Sequence, residues 1–139
     1  MKSTFRRVAL TLILLQLSTS SYGQTLSQQL TDEQIASRVA YVYGNDFVLN
    51  YPALVTTYGK LMTDRIEYQF SVQDDTEKFP LLSSFSLITK NNPEVAPVNS
   101  ETFSLETFNP LIYDFGFFRD KTLVVRIDGT NYLMIVKPQ

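Results

Sequence analysis

Cysteine and histidine are both absent from these 139 residues, and so is tryptophan. Without cysteine the chain has no disulfides and no lipid anchor on an N-terminal thiol. Without either residue it has no Ser-His-Asp or Cys-His catalytic group, no zinc site of the usual nitrogen and sulfur type, and no haem ligation by histidine. It also lacks the one side chain whose unperturbed pKa lies near neutrality. Glycine is scarce, at five residues, and never takes the spacing of a phosphate-binding loop. Lysine and arginine are scattered, and without a basic cluster there is no counterion-releasing surface for nucleic acid.

Long apolar runs are missing too, with one short exception. Lys2, Arg6 and Arg7 precede Val8–Leu17, ten residues interrupted only by Thr11 and Gln16, and small polar residues come next. This is the layout of a secretory signal peptide, and its apolar part is too short for a bilayer span of ~20 residues. Ser21 and Gly23 suit a signal peptidase, so cleavage is expected between Gly23 and Gln24. Residues 1–23 are then the signal, and 24–139 form one mature α+β domain of 116 residues. Removing three cations and no anions takes the formal charge from −2 to −5. The expected location is periplasmic or extracellular, with no integral membrane span in the mature chain.

Past a polar lead-in, Thr25–Leu30, the stretch "TDEQIASRVAYVYG" has a helix start and stop. Thr31 and Gln34 form a capping-box pattern, Asp32 and Glu33 suit the positive end of the helix dipole, and Gly44 suits the stop. Ile35, Val39 and Val42 make one apolar stripe. "GNDFVLNYP" reads as a connector with an apolar plug at Phe47–Leu49. Asn50 and Pro52 then open a second helix whose inner face is Leu54, Tyr58, Leu61 and Met62. Gly59 weakens that helix by ~1 kcal/mol relative to alanine.

"RIEYQFSVQ" has strict period two, with Ile66, Tyr68, Phe70 and Val72 inward and Glu67, Gln69, Ser71 and Gln73 outward. "DDTEKFP" reads as a charged turn, "LLSSFSLITK" as a strand with Phe85 and Leu87 inward, and "NNPEVAPVNS" as a loop. "ETFSLETF" alternates weakly through Phe103 and Leu105. Helices first and strands afterwards give an α+β fold: two N-terminal helices on one face of an antiparallel sheet of four or five strands, ending in a β-hairpin.

The hairpin, "LVVRIDGTNYLMIVKP", is apolar on both faces. A two-residue turn at Asp128-Gly129 would set Ile127 against Thr130 and Val125 against Tyr132. A three-residue turn would set Val124 against Tyr132. The first register is favoured because it keeps Ile127 in the row Leu123, Val125, Ile127, Tyr132, Met134, Val136. That row is expected to meet the helices. The opposite row, Val124, Leu133 and Ile135, is expected to be covered in part by "LIYDFGFF" and "NNPEVAPVNS". Whatever stays bare there is the candidate binding site, since apolar patches of a few hundred Å² mark interfaces.

Carboxylates alone could still run a glycosidase mechanism. Glu67 sits on a wet strand face and Asp128 in a turn, while Asp114, amid "LIYDFGFF", is either in a turn or paired with Arg119. Asp74, Asp75 and Glu77 lack the fixed glycine and distal glutamate of a calcium loop. Eighteen aromatic residues, all Phe or Tyr, read mostly as core. The reading is a small exported, non-enzymatic protein acting by contact with a protein partner, with no cofactor, metal or nucleic acid. The alternatives are a binder of a small apolar ligand between helices and sheet, and a carboxylate-dependent hydrolase.

Overall fold

A computed structural model describes residues 25–72 and 74–139, without the side chains of Asp74 and Asp75. The signal expected over Met1–Gly23 and the mature start at Gln24 lie outside the described residues. The described chain is α+β, with helices and an open antiparallel sheet of four strands. No helix among the described residues is long and apolar enough to cross a membrane.

The first helix, α1 (Asp32–Tyr43), starts and stops where the local chemistry requires. The Gln34 amide donates to Thr31 Oγ1 at 3.1 Å and the Thr31 amide to Gln34 Oε1 at 2.9 Å, closing the capping box. Val39 and Val42 are fully buried. Gly44 ends the helix at φ +93°, a conformation open to glycine, and it is the single residue between α1 and a second helix.

This second helix stands where a connector was expected. It is α2, Asn45–Asn50, six residues long, although Asn45, Asp46 and Asn50 are poor helix formers. Packing holds it: the Phe47 ring stacks on Tyr43 at 5.0 Å and lies 5.1 Å from Tyr51. Helix α3 (Pro52–Lys60) begins with the proline in its first turn. Leu54 departs from the expected inner face and is 44% exposed, while Val55 packs on the core. Gly59 is buried where a Cβ would lie 3.0 Å from Ile35 Cδ1, so this glycine lets α1 and α3 approach closely. Leu61–Arg65 forms a π turn in which the Ile66 amide reaches back to Leu61 O. The wide turn keeps Leu61 and Met62, adjacent in sequence, both buried.

The lead-in is not loose. Thr25–Leu26 is a short edge strand, β1, pairing with Gln69 and Tyr68. Just after it, buried Gln28 donates to Leu105 O and Phe108 O, each at 2.8 Å. Strand β2 (Ile66–Phe70) is the strand expected from the period-two pattern, but its inward row is shorter. Ile66 and Tyr68 are fully buried, whereas Phe70 is 51% exposed and Val72, past the strand, 67%.

The remaining strands are β3 (Leu123–Arg126) and β4 (Tyr132–Val136), and the order is β1-β2-β4-β3 with every pair antiparallel. The segment expected as a strand at Leu81–Lys90 is not one, and the weakly alternating Glu101–Phe108 forms no strand either. The first holds a 3-10 turn at Leu82–Ser84 and two isolated bridges, Leu81 to Arg126 and Leu87 to Tyr113; the second is a series of turns. Both still drop Leu82, Phe85, Leu87, Phe103 and Phe108 onto the core, which is what their alternation reflected.

The hairpin has neither expected register. Val125 pairs with Met134 and Val124 with Ile135, leaving a four-residue loop, 128–131, closed by Ile127 N to Tyr132 O at 3.0 Å. A two-residue type I′ loop needs positive φ at both central residues, and among the described residues only glycines have it. Here Asp128 is held instead by Ser83, whose amide donates to Asp128 Oδ2 at 2.9 Å. The pairing is displaced by two residues from expectation, so every side chain keeps its expected face.

Leu123, Val125, Ile127, Tyr132, Met134 and Val136 pack in the core that also holds Val39, Val42, Leu61 and Met62. Leu111–Phe118 and Asn91–Ser100 were expected behind the other row. Instead they send Leu111, Ile112, Tyr113, Phe115, Phe117 and Val95 into this same core.

Candidate functional site

The second face of the sheet is set by register alone. Glu67 lies opposite Ile135, Gln69 opposite Leu133, and Ile135 opposite Val124, so these side chains share one surface with Arg126 and Lys137. None of Val124, Leu133 and Ile135 belongs to the main core cluster. Val124 and Ile135 are half-buried, and Leu133 is 7% exposed. An ion pair between Lys137 and Glu67 crosses the face beside Ile135.

The hairpin-loop end of this face is partly covered by residues 79–81. The Arg126 amide donates to Pro80 O at 2.8 Å, its Nε donates to Phe79 O at 3.0 Å, and Leu81 bridges to Arg126 in parallel. Between this segment and the sheet runs an open groove of about 280 Å³, lined in part by Val72, Glu77, Leu81, Arg126, Thr130 and Leu133. The structure thus brings Val124, Leu133 and Ile135 onto one face, with Leu133 among the residues lining the groove and the other two outside its lining.

The three candidate carboxylates, Glu67, Asp114 and Asp128, are not assembled into one site. Glu67 is tied to Lys137, and Asp128 to Ser83 at the hairpin loop. Asp114 is exposed, with its amide donating to Ser86 O at 2.9 Å and no ion pair to Arg119. Among the described residues no three acidic side chains gather as a cation site would require.

A second surface feature escaped the sequence reading. Where α2 meets α3, Leu49 is 78% exposed, Tyr51 53% and Leu54 44%. Beside them the rings of Tyr43, Phe47 and Tyr58 are in mutual contact, Phe118 contacts Tyr58, and the Tyr58 hydroxyl donates to that of Tyr43 at 3.2 Å. Burial first, then the Tyr58 bond and the nearby Asp114 carboxylate, push the Tyr43 phenol well above its ordinary pKa. The usable signal was the scarcity of charged residue types from Tyr41 to Gly59, where Asp46 is the one Asp, Glu, Lys or Arg.

Compared with known proteins, the chain matches no family model, no curated protein and no solved structure.

Proposed function

We propose that this chain is a small exported, non-enzymatic protein that acts by contact with a protein partner, in the envelope, the periplasm or outside the cell. The second face of its sheet is the contact surface. The observation that carries this reading is the pair Val124 and Ile135, half-buried apolar side chains outside the core cluster, on the same sheet face as Leu133, which lines an open groove. The helices supply the cover for the opposite face. Burying one such side chain fully is worth ~1.5–3 kcal/mol, so two or three could anchor a modest complex. The Glu67–Lys137 pair and Arg126 form a polar rim of the kind that surrounds such anchors.

The test is copurification from the native host with wild type, Val124→Asp and Ile135→Asp, each checked for melting. The expected outcome is loss of the bound partner in both variants with melting close to wild type. Variants that unfold would show that the face is internal. Variants that retain the partner would place the contact elsewhere.

A further inference from the structure

We infer that the Asp128-Gly129 peptide in the hairpin loop is a covalent modification site, a point of aspartyl isomerisation that Ser83 holds shut while the chain is folded. The reaction needs no second reagent but water. The Gly129 amide nitrogen attacks Cγ of the Asp128 carboxyl group, a new N–Cγ bond forms, and the amide hydrogen leaves with a carboxyl OH as water. Water then reopens the five-membered imide. Breaking the N–Cγ bond restores aspartate. Breaking the bond from nitrogen to the main-chain carbonyl leaves isoaspartate, whose backbone runs through Cβ and Cγ.

The loop is open to this attack. Asp128-Gly129 is the one Asp-Gly pair of the chain, and no Asn-Gly pair occurs. Glycine has no Cβ to shield its nitrogen, and Gly129 is exposed. Its amide donates to no acceptor among the described residues, whereas the next amide, that of Thr130, donates to Ile127 O at 3.1 Å.

The lock is on the carboxylate. The Ser83 amide donates to Oδ2 at 2.9 Å and the Ser83 hydroxyl to Oδ1 at 2.5 Å, so both oxygens are gripped from one residue, distant in sequence. Ser83 is itself fixed in the 3-10 turn Leu82–Ser84, which the Ser84 amide and hydroxyl close onto Leu81 O at 3.0 and 2.6 Å. Cyclisation requires the carboxyl group to turn toward its own neighbouring nitrogen and to lose one of the two gripped oxygens. Hydrogen bonds to an ionised group are the stronger kind, and this turn has to release two of them. Once isoaspartate forms, the lock cannot be remade as it was. The backbone gains an atom inside the turn that Thr130 and Ile127 span, and the free carboxylate sits directly on Cα, one carbon shorter than the group that Ser83 held.

The experiment incubates the purified chain in mildly acid water enriched in heavy oxygen. Each round of closure and opening replaces one oxygen of Asp128 by one from solvent. Mass spectrometry of the tryptic peptide that begins at Ile127 counts it, and fragmentation assigns it to Asp128. An isoaspartyl methyltransferase measures the isomer independently. The folded chain should take up the label at least about 10-fold more slowly than the same chain in denaturant. Ser83→Ala, at an exposed position, should react about 10-fold faster than wild type, the effect of losing one hydrogen bond to a charged group. Ser84→Ala removes a bond from the same turn without touching Asp128, and its rate should stay near that of wild type. Asp128→Glu, which would have to close a larger ring, should take up almost no label. A folded chain that reacts as fast as the denatured one overturns the inference. So does a Ser83→Ala variant no faster than wild type, or equal acceleration by Ser83→Ala and Ser84→Ala, which would place the protection in the turn and not in the grip on Asp128.

Discussion

Tyr68 is fully buried at the centre of β2, and its hydroxyl has no hydrogen-bond partner. A buried, unpaired hydroxyl costs ~1–3 kcal/mol, whereas the ring around it contributes like any core aromatic. The ring packs edge-on to Phe108 at 6.1 Å. Tyr68→Phe keeps that packing and removes the unpaired group, so it should raise stability by about 1 kcal/mol, read as a higher denaturation midpoint with an unchanged slope. An equal or lower midpoint would mean that the hydroxyl is satisfied in solution. Single residues were legible in the sequence where a local rule decided them. Thr31 with Gln34, Gly44 and Pro52 each act through backbone groups a few residues away, and each stands where expected. Gly59 was not legible in that way. Its role is set by Ile35, twenty-four residues earlier, and helix propensity alone reads it as a defect.

Among the elements, α1 was readable at both ends and β2 through its alternation, because each signal lies inside the element. Helix α2 was hidden, since its asparagines are poor helix formers and its hold comes from outside it, in the packing of Phe47 against Tyr43 and Tyr51. The candidate site was legible in part. The faces of the hairpin could be assigned because a two-residue displacement preserves them, while the register could not, because it depends on Ser83 capturing Asp128. The loop is fixed a second time at Gly129, which has φ +69° and would place a Cβ 2.7 Å from that of Ser100. Gly129→Ala should therefore destabilise the protein by about 1–3 kcal/mol through backbone strain alone, with the clash against Ser100 adding to it. Chemical denaturation measures the loss, and a change within a few tenths would show that the loop opens freely and does not set the register.

For the molecule as a whole, the core draws on two kinds of chain. The patterned ends supply Val39, Val42, Ile66, Val125 and Met134, while the irregular run between β2 and β3 supplies Leu82, Val95, Phe108, Leu111, Tyr113, Phe115 and Phe117. Alternation announced apolar content in that run but not its path, since a coil that drops side chains inward looks like a strand in sequence. That same core makes stability depend on pH at the alkaline end. Burial lifts the phenols of Tyr43, Tyr68 and Tyr113 above their ordinary value, and at Tyr68 nearby Arg38 offsets it only in part. Below the ordinary tyrosine pKa of ~10, folded and unfolded chains both keep these protons and the contribution is constant. Above it the unfolded chain releases them while the folded chain holds them, so the unfolded state binds fewer protons and stability falls as pH rises. Histidine is absent, so no side chain titrates at its ordinary value between the carboxylates and the alkaline groups. Melting temperature should then be level from about pH 6 to 9 and fall beyond about pH 10. In Tyr68→Phe the alkaline fall should be shallower, because one of the three phenols no longer contributes. Melting curves of wild type and variant across this range check it, and parallel alkaline falls would show that the Tyr68 phenol keeps its ordinary affinity for the proton.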